Sequence, residues 1–186
     1  GKPRPVGQAI VDSLFPAGDK GRIPIVGIAG SKGTSLTARL MSWLLQLTGK
    51  HVGLSCRDGL FLDKRMVDKR DCANWAAGQR LLINRSVDAA VFENGAAMIL
   101  GEGIAYDRCQ VGIVTDAEGA ESLADFDIHN AEQLYHVLRT QVDIVLPEGA
   151  AVLNAADPLV ARMAELCDGD VIFYGLTQDL PAIAAH

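Results

Sequence analysis

Of the chain's 186 residues, 49% are hydrophobic, 22% charged and 5% aromatic, a balance that excludes a disordered tail and supplies one sizeable core. Seventeen Lys and Arg against 23 Asp and Glu leave a formal net charge of −6, with no basic block. That excludes the electrostatic footprint of a nucleic-acid or anionic-membrane binder.

In chain order, residues 1–22 read as a helical lead-in and 23–186 as one core. Residues 23–29 (IPIVGIA) are β-branched and glycine-bounded, which predicts a strand. Residues 35–48 (SLTARLMSWLLQLT) predict a helix that is apolar nearly all round and therefore well buried, stopped at Gly49. Residues 51–56 (HVGLSC) predict a second strand, and residues 57–71 a hairpin turning near Asp63 and Lys64. A helix over 72–83 and strands over 87–93 and 111–115 follow, then a helix over 130–142. Two short strands (144–146 and 151–153), a helix over 157–166 and a strand over 171–174 complete the series. Strands alternating with helices, the strands continuously apolar, predict a three-layer α/β domain: a mostly parallel sheet with helices on both faces.

Cysteines stand at 56, 72, 109 and 167, none closely paired, so neither a zinc knuckle nor a redox dithiol is indicated. Single cysteines in apolar runs read as core residues of a cytoplasmic protein. No apolar run is long enough to span a bilayer, and no charged-then-apolar leader starts the chain. The first residue is Gly1 rather than Met, so the chain is expected to be part of a longer one.

The candidate site is Gly30-Ser31-Lys32-Gly33-Thr34-Ser35, between the first strand and the apolar helix. In open α/β sheets ligands sit beyond the carboxyl ends of the strands. Glycines let a backbone curl around an anion, and a helix N-terminus adds free N–H groups and a positive dipole end. A P-loop also needs Lys directly after its last glycine, and here that residue is Thr34; the lysine stands two places early, at Lys32. Ser35 keeps the position of a metal-binding hydroxyl. A plain strand-to-helix turn with Thr34 or Ser35 as N-cap explains the same residues.

The stretch RIPIVGIAGSKGTSLTARLM resembles the ATP-binding start of the Mur-ligase central domain, most closely as it occurs in cyanophycin synthetases. GKPRPVGQAIVDSLFP, HVGLSCRDGLFLDKRMVDKRDC, VDAAVFEN, ILGEGIAYDRCQVGIVTD and AAVLNAADPLVARMAELC extend the resemblance over nearly the whole chain. It implies ATP and Mg²⁺ as cofactors and an upstream ATP-grasp domain in the same polypeptide. It also implies a homo-oligomer, and an Asp/Arg polymer or Asp-Arg dipeptide as the parent protein's substrate. Carried over residue by residue, it assigns nucleotide contacts to Gly30, Ser31, Lys32, Gly33, Thr34, Ser35, Asn154 and Asp157, and metal binding to Ser35 and Glu93. Each assignment has an alternative: Glu93 as a solvated strand-end acid, and Asp157-Pro158 as an N-cap with Pro at the first helical position.

The departures from the family fall where its chemistry lies. The phosphate lysine corresponds to Thr34. The threonine–asparagine segment ending in Glu-Asp-His corresponds to residues 115–123 (TDAEGAESL), which hold no histidine, and a further lysine corresponds to Leu138. His129 and His136 lie nearby but read as ordinary helix-surface residues. Losing one preorganised charge-stabilising group costs roughly 100- to 1000-fold in rate, and here three are gone. The expectation is a catalytically silent, structural domain, as in the second, dipeptide-polymerising type of cyanophycin synthetase. The alternatives are an active ligase adding Arg to the polymer through a non-standard P-loop, and a nucleotide- or anion-binding module without turnover.

Overall fold

The computed structural model describes residues 6–14 and 21–186. Of the helical lead-in, α1 (Val6–Leu14) falls within them; residues 1–5 and 15–20 lie outside. The core begins with β1 (Ile25–Ala29), α2 (Thr34–Gln46) and β2 (Val52–Cys56), followed by a hairpin of β3 (Gly59–Leu62) and β4 (Arg65–Asp68). Then come α3 (Trp75–Leu82), β5 (Ala89–Asn94), α4 (Ala96–Gly101), β6 (Cys109–Val114) and a 3₁₀ turn over Ala120–Phe126. The rest is α5 (Ala131–Leu138), α6 (Thr140–Asp143), β7 (Val145–Asn154), α7 (Pro158–Arg162), a 3₁₀ turn at Met163–Leu166, β8 (Asp170–Tyr174) and α8 (Pro181–Ala184).

The strands form one eight-stranded sheet in the order β4-β3-β2-β5-β1-β6-β7-β8. From β2 to β8 the pairing is parallel, and the β3–β4 hairpin adds antiparallel strands at one edge. The hairpin turns at Asp63 and Lys64, as its sequence predicts; Asp63 takes the left-handed conformation (φ 52°) and its carboxylate accepts the Val52 N–H at 2.8 Å. β1 lies between β5 and β6, so the chain leaves it in one direction toward β2 and returns later to its other side. The crevice at the carboxyl end of β1 is therefore the switch point where open α/β sheets place ligands.

Successive strand residues point to opposite faces. Val26 and Ile28 of β1 join Leu54, Val91 and Ile113 beneath α2, while Ile25 and Ala29 enter the cores that α3 and α5–α7 cover. Helix starts are fixed by side-chain caps: Asn74 accepts from the Ala77 N–H and Asn130 from the Gln133 N–H, each at 2.9 Å.

Three local expectations need correction. The two short strands over 144–153 are one strand, β7, whose register against β6 slips between Cys109 and Val111. The bulge admits the polar turn residues that make the stretch read as two strands. The helix over 157–166 is a short α-helix running into a 3₁₀ turn, and that over 130–142 breaks between α5 and α6. The largest departure is α2, which is half exposed. Its buried residues are Thr34, Ala38 and Ser42, whereas Leu36 is 75% and Leu40 50% exposed. Small side chains at four-residue spacing let the helix sit close on β1, β2 and β5, and this turns its large aliphatic residues outward.

Candidate functional site

The 30–35 loop runs from the end of β1 into α2. Gly30 has φ +131°, and a Cβ there would lie 2.0 Å from Thr115 Oγ1, so only glycine lets the loop pass this close to the end of β6. Gly33 caps α2 in the left-handed conformation at φ 70°. Thr34 is buried and Ser35 partly buried at the first positions of the helix, and both aim their hydroxyls at Glu93, near the end of β5.

Glu93 is 2% exposed and accepts four hydrogen bonds. Thr34 Oγ1 donates to Oε1 at 2.7 Å and Ser35 Oγ to Oε2 at 2.8 Å. Arg57, just past β2, donates its backbone N–H to Oε2 at 2.8 Å and its Nε–H to Oε1 at 2.7 Å. The Arg57 Nη2 also donates to Thr34 Oγ1 at 2.7 Å, so the guanidinium spans the residue after Gly33 and the buried carboxylate. Burial alone raises the Glu93 pKa, but the donors from Arg57, Thr34 and Ser35 outweigh it and hold the carboxylate below its ordinary range. Glu93 is thus no solvated strand-end acid.

A second carboxylate closes the loop itself. Asp116, just past β6 and 6% exposed, accepts from the Ser31 N–H (3.1 Å), the Lys32 N–H (2.9 Å) and the Ser31 hydroxyl (2.6 Å). Thr115 Oγ1 and the Glu118 N–H complete its shell at 2.8 and 3.2 Å. These bonds prevail over burial and lower the Asp116 pKa as well. Lys32 turns away from the loop to an exposed ion pair with Glu118.

The remaining candidates belong to neighbouring loops. Asn154 donates to the Thr115 carbonyl at 2.9 Å and accepts from the Ala156 N–H. Asp157 caps α7 through the Leu159 N–H at 2.9 Å and ties down the Ala117 N–H at 2.8 Å. Both therefore brace the 115–117 loop that carries Asp116. Leu138 is 1% exposed and, with Leu123 and Leu134, forms the apolar wall of a pocket of about 270 Å³ beside Ser31, Arg57 and Glu118. His129 and His136 are exposed and do not line it. Burial pushes the Cys56 and Cys109 thiols up to about 11 and about 12, so neither supplies a thiolate.

Sequence reasoning singles out the loop and Glu93 but misses Arg57 and Asp116. Arg57 belongs to no motif, and Asp116 stands in the 115–123 segment singled out only for its missing histidine; both reach the loop only through the strand order, Asp116 from 85 positions beyond Ser31. An adjacent signal was present: a cation and an acid at strand ends flanking a glycine loop that lacks a lysine after its last glycine.

The residues present do not fit ATP and Mg²⁺. An ionised carboxylate offers about four acceptor positions, and those of Glu93 are taken. The Ser31 and Lys32 N–H groups already hold the Asp116 carboxylate, and a nucleotide phosphate would bring like charge against it.

The chain is 37% identical over 186 residues to the cyanophycin synthetases of Synechocystis sp. and Crocosphaera subtropica, matching all of this chain and 21% of each relative. It is 32% identical to the enzyme of Nostoc sp.. The chain thus spans about one fifth of the length of the curated relatives it matches. Among solved structures, a UDP-N-acetylmuramoyl-L-alanyl-D-glutamate–2,6-diaminopimelate ligase superposes with TM-score 0.70 at 13% identity, over 92% of this chain and 35% of that one. A bifunctional folylpolyglutamate synthase/dihydrofolate synthase, solved with Mn, AMPPNP and L-glutamate bound, gives TM-score 0.59 at 13% identity over 84% of this chain and 44% of its own. These likenesses show the fold. No family model matches the chain.

Proposed function

Because the chain is homologous over its whole length to a segment of the cyanophycin synthetases and has the Mur-ligase central fold, we propose that it is the Mur-like domain of such a synthetase, catalytically silent and structural. The parent polypeptide is an ATP-dependent ligase of Asp/Arg polymer or Asp-Arg dipeptides. An ATP-grasp domain lies upstream of this one, and the assembly is a cytoplasmic homo-oligomer. No helix among the described residues is long and apolar enough to cross a membrane.

The observation that carries this reading is the saturation of Glu93. Mur-type ligation forms an acyl phosphate from a carboxylate and ATP, which an amine then attacks. That route needs a metal ion at the transferring phosphoryl group and cations around it. Here the metal-position carboxylate is held by its own chain's hydroxyls and guanidinium, and Leu138 presents an aliphatic wall where the family places a lysine. What remains is an α/β core whose buried carboxylates are satisfied by the chain's own donors.

The test is calorimetric titration with MgATP, together with phosphate release in the presence of polymer primer and arginine, on the longest polypeptide carrying this domain and on a version whose ATP-grasp domain is inactivated. With that domain inactivated, neither binding nor arginine-dependent release is expected. Turnover would return the domain to the active ligases, and saturable binding without turnover would make it a nucleotide-binding module.

A further inference from the structure

We propose that Asp116 is an autoinhibitory residue: its carboxylate takes the Ser31 and Lys32 N–H groups and the Ser31 hydroxyl of the 30–35 loop and so excludes phosphate ligands from the domain. The inference rests on the silent reading above and names the group that enforces it. Three donors converge on Asp116 from the loop itself, two backbone N–H groups and the Ser31 hydroxyl, at 2.6 to 3.1 Å. Convergent main-chain donors in a glycine loop that leads into a helix are the arrangement that P-loops present to phosphate, and here those of Ser31 and Lys32, just before the Gly33 cap of α2, face a carboxylate.

The loop has not collapsed. It keeps the left-handed Gly33 and the strained-for-others Gly30, and α2 follows it directly. Its Ser31 and Lys32 donors are held by an anion that belongs to the chain. The occupant is fixed in turn: Thr115 Oγ1 and the Glu118 N–H bond to Asp116, and Asn154 and Asp157 hold the backbone on either side of it. A diffusible phosphate must therefore displace a tethered, six-percent-exposed carboxylate and then lie against its charge. Lys32 offers no counterweight, since it pairs with Glu118.

The experiment titrates pyrophosphate, and separately ATP, into wild type, Asp116→Ala and Asp116→Asn, with calorimetry and thermal unfolding as readouts. Wild type should show no saturable binding. Asp116→Ala should melt lower in plain buffer and regain stability with pyrophosphate. Its affinity should exceed any wild-type response by about tenfold or more, the removed like charge counting for at least that much. Asp116→Asn, whose single amide oxygen accepts only part of the donor set, should fall between. Glu121→Gln removes a nearby exposed acid without touching the loop donors and should behave as wild type.

A folded Asp116→Ala that answers pyrophosphate no better than wild type overturns the inference while leaving the silent reading standing. Equal gains in Glu121→Gln overturn it too, since the effect would then be general charge. If the alanine variant does not fold, the asparagine variant decides by the same criterion. The Ser31 and Lys32 amide resonances of wild type give an independent check: movement on adding pyrophosphate overturns the inference. Binding of MgATP by wild type would instead overturn the silent reading from which it starts.

Discussion

The two buried carboxylates make different demands on solution conditions from the surface acids. Glu93 and Asp116 are held below the ordinary carboxylate range by their donors, so each is more acidic folded than unfolded. Their contribution to stability is therefore complete above the unfolded pKa of about 4 and is lost as pH falls through the folded values. Urea midpoints should stay flat from neutral pH to about pH 5 and then decline on acidification. Glu93→Gln should be less stable at neutral pH by about 1–3 kcal/mol, because one amide oxygen cannot accept all four donors. Its acid decline should be shallower than that of wild type, and parallel curves would show that Glu93 carries no linked proton. The sequence marks Glu93 through the strand it ends and the hydroxyls of Thr34 and Ser35. It does not mark Arg57, because the partnership depends on β2 lying beside β5, a fact of sheet order that no local pattern encodes.

Among the elements, α2 shows where pattern reading fails and why. An apolar sequence all round the helix predicts burial all round, yet hydrophobicity does not choose which face goes inward. Closeness of approach does. Ala38 lies flush on the sheet at 0% exposure, while Leu40, nearly opposite, is 50% exposed. Ala38→Leu should accordingly destabilise the domain by about 1–3 kcal/mol through overpacking. Leu40→Gln should change the unfolding free energy by no more than about 0.5 kcal/mol. A hydrophobicity ranking gives the reverse order, so one pair of denaturation curves separates the two. The strands were more legible than the helices. Those of the parallel region are short apolar runs between turn residues, and only β7, with its bulge, was divided by its polar middle.

On the scale of the whole molecule, strand–helix alternation was sufficient to reach the three-layer parallel architecture, since few other folds bury so many two-sided apolar strands. The site was only half visible. Its glycine loop and strand-end acid follow from local sequence, but the groups that occupy them come from other loops brought in by topology.

That topology also bears on how the chain comes into being. β1 is the first core strand to leave the ribosome, and all five of its residues are buried, yet both of its neighbours, β5 and β6, are made much later. The sheet's middle is thus synthesised early and completed late, leaving an apolar strand with both edges bare until β5 is made and one bare until β6. A nascent chain stopped after β5 has one edge of β1 covered; only β6 closes the other. Fragments ending before Cys109 should therefore be protease-sensitive and prone to aggregate, while extension through α6 and β7 should bring protection abruptly. A graded gain of protease resistance with each added element would show instead that the half of the sheet from β4 to β1 stands by itself.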